Sequence, residues 1–467
     1  MKTKRVVVKW VLALACIFIA LTLTACKKDP KQASLEWNLK TVVKPYEQAG
    51  FKNSKWNYAA RKALTEFARM RANVLNTNEP WSDIIANNAA AAVQAGCTDP
   101  MVNYLYVRFA LDRDDNTPET FSDNFYKIAS DMENSSYPHV RKFYAAAAAL
   151  DQMFSTYGGK VSTMQSARDE MSIIGLELQA TMQDEAIPAE EAYEVADRTL
   201  TLMKGGQSQY ETTYDYVEPQ MFKKWPTSSL SWLIKGEGYT QKAWFARGGG
   251  YANTVTDQGW AVFFKDLTIA NDALVTAWNI NTNDIRIPLQ MITVCLGNGT
   301  NREVMELWFQ RAMQINPNSY DACAAKLYYL WPRWYGSRED MIAFGRECVD
   351  SPKWGGNVPL ILPEAHREYW QSLEDSDEKT NYWMQPDVWP DIQSSFERFF
   401  ELNPNAVGYY HNYAWYAYRC QQWDKLNELI GKLGTVNFSY FGGEDEYDKM
   451  VRLAKEHAGA SKSNPAR

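Results

Sequence analysis

The chain has 467 residues, 46% of them hydrophobic and 22% charged, with a formal net charge of −7. That length holds several cores or one long stacked array, and the composition is that of a folded protein. The acidic balance argues against nucleic acid and anionic headgroups as partners. Eighteen Trp, within an aromatic content of 14%, suit helix–helix cores or a binding face.

The first element is not part of the fold. Lys2, Lys4, Arg5 and Lys9 form a basic head, and Trp10 to Ala25 is apolar apart from two threonines. That stretch is shorter than the roughly 20 residues a membrane-spanning helix needs, so residues 1–25 read as a secretory signal peptide. Its end, Leu23-Thr24-Ala25-Cys26, resembles the lipobox of bacterial lipoproteins. The resemblance implies cleavage before Cys26 and a diacylglycerol on its thiol. Lys27 and Lys28 follow, and the absence of Asp there implies sorting to the outer membrane. Acyl chains anchor strongly once there are two or more. The mature chain, stripped of four positive charges and no acidic ones, carries −11. Residues 26–54 read as a membrane-proximal tether.

Residues 55–222 read as helical hairpins: Trp56–Arg71, Asp83–Ala95, Pro100–Leu111, Pro118–Met132, Pro138–Tyr157, Lys160–Gln183 and Pro188–Met203. Pro100, Pro118, Pro138 and Pro188 stand at helix starts, where a missing N–H costs nothing. Asp112-Arg113-Asp114-Asp115-Asn116 begins like a calcium loop, but Thr117 stands where Gly is needed and Asp123 where a bidentate Glu is needed. Asn116 or Thr117 capping a helix at Pro118 is the plainer reading. Arg247-Gly248-Gly249-Gly250-Tyr251 lacks the strand, helix and Lys of a phosphate loop and reads as an inter-helix turn.

Residues 223–350 and 390–457 carry a repeat. FQRAMQINPNS (309–319) and FERFFELNPNA (396–406) place Phe309, Ala312, Met313 and Ile315, and again Phe396, Phe399, Phe400 and Leu402, along one helical face. Asn-Pro then stops the helix, and the second Asn is placed to cap the next one. A looser copy runs from Ala270 through Leu274, Ala277, Trp278 and Ile280 to Thr282, 35 residues before Pro317. Residues 351–389, with their prolines and a Glu-Asp-Ser-Asp-Glu run, read as an insertion or linker. Residues 458–467 read as a disordered tail.

The spacing resembles the tetratricopeptide repeat, whose period is about 34 residues. The copies match its second helix, and Trp232, Gly236 and Tyr239 match its first, with Lys235 where Leu is usual. The stretch LYYLWPRWYGSREDMIAFGREC (327–348) resembles an uncharacterised bacterial helical-repeat family, marked by a Trp/Tyr-Gly-Ser turn. The fold expected is all-α, an array of antiparallel helical hairpins. In tetratricopeptide repeats, positions 5, 9 and 12 of each first helix face a concave groove. Carried onto the units starting at Tyr320 and Val407, the resemblance implies a groove of Tyr328, Trp331, His411, Trp415 and Tyr418, with Arg419 beside them, while Leu327 and Ala414 are buried; the alternative is that the longer unit between the two motifs folds over this face and makes the aromatics core.

Cleavage and acylation leave Cys97, Cys295, Cys323, Cys348 and Cys420, an odd number. Cys323 and Cys348 lie on successive helices and are either a disulfide or two buried thiols. There is no Cys-x-x-Cys, His-Glu-x-x-His or Gly-x-Ser-x-Gly, so no metal, cofactor or catalytic site is expected. The expectation is a lipid-anchored scaffold of the bacterial cell envelope that binds a protein or peptide. A glycan or nutrient receptor is the alternative, and an enzyme assembled from distant residues is a third reading.

Overall fold

The computed structural model describes residues 29–49, 53–74, 80–111, 116–299 and 301–457. Cys26, the signal-peptide segment, residues 112–115 and the 458–467 tail lie outside them. The described residues hold helices and turns and no strand. They divide into two compact units, Met1–Ile234 and Lys235–Arg467. The sequence placed a boundary at 222/223; the division falls twelve residues later, inside a helix.

In the first unit α1 (Pro30–Asn38) runs through a π turn (Leu39–Val43) into α2 (Lys44–Gln48). Then follow α3 (Asn57–Arg71), α4 (Trp81–Gln94), α5 (Pro100–Leu105), α6 (Pro118–Glu133), α7 (His139–Tyr157), α8 (Gln165–Gln183), α9 (Ala189–Met203) and α10 (Gln207–Lys224). Pairs α3–α4, α6–α7, α7–α8 and α9–α10 pack side by side. Their starts follow local chemistry: Asp99 caps α5 and Thr117 caps α6, each just before a proline. A π turn (Tyr106–Ala110) extends α5.

The tether expected at residues 26–54 is largely absent. Trp37, Val42, Val43 and Tyr46 are buried in the core of the first unit. Arg141, 2% exposed, donates to Asn38 Oδ1 at 2.8 Å and Thr41 Oγ1 at 2.7 Å. A buried guanidinium must find acceptors or forfeit several kcal/mol, and these two fix the N-terminal helix to α7.

The boundary helix α11 (Ser229–Arg247) opens the second unit, followed by α12 (Asp257–Ile280), α13 (Arg286–Asn298), α14 (Arg302–Ile315), α15 (Tyr320–Tyr329), α16 (Arg338–Asp350), α17 (Ile361–Ser372), α18 (Ser376–Asn381), α19 (Val388–Leu402), α20 (Tyr410–Arg419), α21 (Trp423–Ile430) and α22 (Glu444–His457). This is an all-α array of antiparallel hairpins. Gly236 explains its own place in the first-helix pattern: a Cβ there would meet Leu274 of α12 at 2.4 Å. Phe309, Ala312 and Met313, then Phe396 and Phe399, are buried as the repeat predicts. Ser319, not Asn318, caps α15: it immediately precedes the helix, and its Oγ accepts from the Ala322 N–H at 3.2 Å.

Residues 351–389 are not a linker. They supply α17, which packs on α16 and α15 and against α19. Pro363 falls in the first turn of α17, where it removes no helical hydrogen bond. Gly345 of α16 lets α17 approach, since a Cβ would lie 2.8 Å from the Leu362 Cα. The longer interval between the two Asn-Pro motifs is thus a complete hairpin, with α17 first and α19 second.

The Trp-Tyr-Gly-Ser turn has a physical reason at each position. Trp334 packs edge to face on Trp244 at 5.9 Å. The Tyr335 hydroxyl donates to the Leu296 carbonyl at 3.0 Å. A Cβ on Gly336 would sit 2.2 Å from the Leu330 carbonyl oxygen, and Ser337 caps α16.

Candidate functional site

Three first helices of successive hairpins, α15, α17 and α20, border a cleft. One chamber of 280 Å³ is lined by Tyr320, Glu364, Phe396, Tyr409, Asn412 and Tyr416, among others. A second, of 410 Å³, is lined by Glu364, Arg367, Trp370, Gln371, Asn412, Trp415, Tyr416 and Tyr440. Glu364, Asn412 and Tyr416 are common to both, so the chambers form one continuous groove.

The helical period puts Glu364, Arg367 and Gln371 on one face of α17, while Leu362, Ala365 and His366 on the other face are buried. Arg367 Nη2 donates to Glu364 at 2.5 Å and to Glu368 at 3.2 Å. Burial alone would lower the Arg367 pKa, yet the two carboxylates raise it. The Tyr320 phenol is pushed up, first by burial and then by the Glu364 charge. The groove therefore carries a guanidinium held between two carboxylates at its centre.

Its wall is aromatic. Trp415 meets Trp383 at 5.7 Å and Trp370 at 6.4 Å. Arg419 lies over Trp370 at 4.9 Å and over Trp415 at 5.6 Å. The Trp370 indole N–H donates to the Lys379 carbonyl at 2.9 Å, which holds the wall rigid. Asn412 and Gln371 present carboxamides that make no intramolecular hydrogen bond among the described residues. An unpaired carboxamide offers one acceptor and two donors to a ligand.

The six residues assigned to the groove do not form one surface. Trp415 and Arg419 belong to the cleft. Tyr418 packs on Trp423 at 6.3 Å. His411 is 5% exposed: its Nδ1–H donates to the Gly408 carbonyl at 3.1 Å and its Nε2 accepts from the Asn437 N–H at 3.1 Å. It is a structural pin under the groove. Tyr328 and Trp331 stand in a separate aromatic cluster, 4.6 Å apart, with Arg333 over Trp331 at 4.4 Å. Tyr328 also lines a 270 Å³ cavity with Trp244, Ile292, Thr293, Leu296 and Ala325. Leu327 and Ala414 are buried, as expected. Arg247 of the Gly-rich turn lies over Trp244, Trp260 and Trp334. Sequence reasoning missed Arg367, Trp370, Gln371, Asn412 and Tyr440; the period of Leu362, Ala365 and Tyr369 was the available signal.

Cys323 and Cys348 are free, buried and adjacent. Burial pushes the Cys348 thiol far up, and the neighbouring Cys323 adds to it. Another chemistry-bearing group is buried: His366 lies between Tyr382 at 2.9 Å and Asp391 at 3.1 Å. Arg346 clamps Asp391 at 2.8 and 2.9 Å. Burial lowers the His366 pKa despite Asp391, and burial of Asp391 is outweighed by His366 and Arg346, which lower its carboxyl. His366 is 0% exposed, so this network faces the core. Among the described residues no group of three or more His, Cys, Asp and Glu could hold a metal ion.

Residues 281–353 match a domain of unknown function, DUF4034. The match spans α13 to α16, two hairpins with the Trp-Tyr-Gly-Ser turn inside them. No curated protein matches the chain. Among solved structures, the human IFIT1 dimer with m7Gppp-AAAA is similar at 12% identity and a TM-score of 0.30, over 91% of this chain and 95% of that one. The DUF4034 match includes α15 of the cleft and stops short of α17 and α20.

Proposed function

We propose that the chain is a bacterial lipoprotein, anchored through acyl chains on Cys26 in the cell envelope at the outer membrane, whose helical-repeat body is a binding scaffold rather than an enzyme. Its cleft between α15, α17 and α20 takes a protein or peptide partner. The observation that carries the binding role is Asn412: a carboxamide without an intramolecular partner, shared by two chambers, beside a fixed aromatic wall. Rigid aromatics around a few aimed polar groups are the usual make-up of a binding site.

Crosslinked pull-down from intact bacterial envelopes tests this. The wild-type chain is expected to retain a discrete partner, and Asn412→Ala to lose it with unchanged thermal stability. Equal retention by the variant would remove the cleft from the interaction. Palmitate labelling tests the anchor: Cys26→Ser should abolish the label, and a label that persists sinks that assignment.

A glycan ligand is the second reading, favoured by the free Gln371 and Asn412 carboxamides beside Trp370, Trp415 and the 43%-exposed Tyr440. Retardation in a native gel containing polysaccharide, lost in Asn412→Ala, would select it over a peptide.

A further inference from the structure

The charge of this protein is concentrated at one end. Residues 26–62 hold nine Lys and Arg against three Asp and Glu, a net of +6, within a mature chain of −11; the remainder therefore carries −17. Net charge alone argued against anionic surfaces, but the local sign is the reverse. The basic residues are also presented outward: Lys31, Lys40, Lys44, Lys55, Arg61 and Lys62 are all exposed. Lys44, Lys55 and Lys62 make no ion pair among the described residues.

Two contacts join the helices that carry them. Arg61 of α3 pairs with Glu47 of α2 at 2.7 Å. The Tyr46 hydroxyl donates to Asn57 Oδ1 at 3.1 Å. The start of α3 thus lies against α2, and Tyr58 and Lys62, one turn apart, stand on the exposed face of α3. Tyr58 is 77% exposed. A shallow 490 Å³ depression alongside is floored by Leu39 and Val43 and edged by Lys40, Lys44, Glu36 and Glu47. Lysines around an exposed tyrosine and a small apolar floor match the headgroup layer, where amphipathic rings and basic side chains settle.

The length of chain to the proposed anchor names the occupant. Cys26 stands three residues before Asp29, the cap of α1, a reach of roughly 10 Å when fully extended. A body fixed to its acyl chains by so short a link cannot stand away from the bilayer.

We infer that the face of α1–α3 around Lys40, Lys44, Tyr58 and Lys62 docks on a membrane surface bearing anionic phospholipid headgroups. The inference rests on the lipoprotein reading for its geometry, but the face can be tested without the anchor.

The probe is the unlipidated mature-length chain carrying Cys26→Ser, sedimented with vesicles of phosphatidylethanolamine and phosphatidylglycerol at 3:1, or of phosphatidylcholine alone. The expected result is at least about tenfold stronger partition onto the anionic vesicles, lost at high salt as the screening length shortens. Combined Lys40→Glu, Lys44→Glu and Lys62→Glu should reduce it on the order of 100-fold, with the circular dichroism spectrum unchanged because all three are exposed. Tyr58→Ala should reduce it several-fold. Equal partition onto both vesicles, or an unaffected triple variant, overturns the proposal. So does an RNA oligomer that binds as tightly as the vesicles with no dependence on Tyr58. Palmitate labelling of the wild type separates the two readings: label with no vesicle preference leaves the anchor and removes the docking face, whereas vesicle preference without label leaves the face and removes the anchor.

Discussion

Replacing Trp415 by Ala separates a free binding surface from a wall that is also structure. The groove carried over from the tetratricopeptide pattern treats Trp415 as an exposed anchor, so its removal would leave the melting temperature unchanged. The structure gives the opposite expectation. Trp415 is half-buried against the core of the second unit, with Trp383, Trp370 and Tyr416 around it at 5.7, 6.4 and 4.9 Å and Arg419 over its ring. A fully buried Trp→Ala costs about 3–5 kcal/mol. Half of that burial is about 1.5–2.5 kcal/mol, and one lost aromatic pair at the low end of about 0.5–1.5 kcal/mol brings the total to about 2–3 kcal/mol. For a unit of this size that corresponds to a fall of about 5–10 °C in melting temperature. Urea unfolding followed by far-UV circular dichroism should show a lower midpoint at unchanged slope. Asn412→Ala, by contrast, should move the midpoint by less than about 0.5 kcal/mol. A Trp415→Ala variant with wild-type stability would refute the argument and restore Trp415 as a free anchor.

Gly336→Ala should destabilise by about 2–3 kcal/mol, because the new methyl would be driven into the Leu330 carbonyl, which is backbone and cannot rotate away; a wild-type urea midpoint would reject that close approach. Glu170, 1% exposed, has its carboxyl pushed up to about 8 by burial first and by Glu133 and Asp169 next. It stays protonated in the folded chain while it ionises in the unfolded one, so its contribution to stability is full below about pH 4.5 and lost as pH rises toward 8. Calorimetry should show Glu170→Gln gaining in melting temperature over the wild type as pH goes from 5 to 8.5; a constant difference would place Glu170 in water. None of Cys97, Cys295, Cys323, Cys348 and Cys420 should react with Ellman's reagent in the native chain, and all five should react in denaturant, since all are free and buried. A shortfall of two in denaturant would mean that Cys323 and Cys348 are joined.

The sequence by itself determined the helices and the rule by which they pair. Periodicity and proline placement are local signals, so α6, with Thr117 as its cap, and the stripes ending at Asn316-Pro317 and Asn403-Pro404 were legible without a neighbour in view. Only the tertiary structure decided which prolines interrupt and which begin a helix. Pro363 reads as a breaker until α16, opened at Gly345, gives α17 a surface to pack on. The groove followed from the same step. A repeat pattern states which face of a first helix points inward, but not which helix stands between two others. Once α17 is in place, Arg367, Trp370 and Gln371 face Asn412 and Trp415 across the cleft, while Tyr328 and Trp331 are left to a different cluster. The N-terminal helix shows the same limit. Its polarity reads as a tether, but Arg141, a hundred residues away in sequence, supplies the partners that bury it. Burial of a polar group depends on a partner that local pattern cannot name, because the hydrogen bond that makes it affordable exists only when the chain is folded.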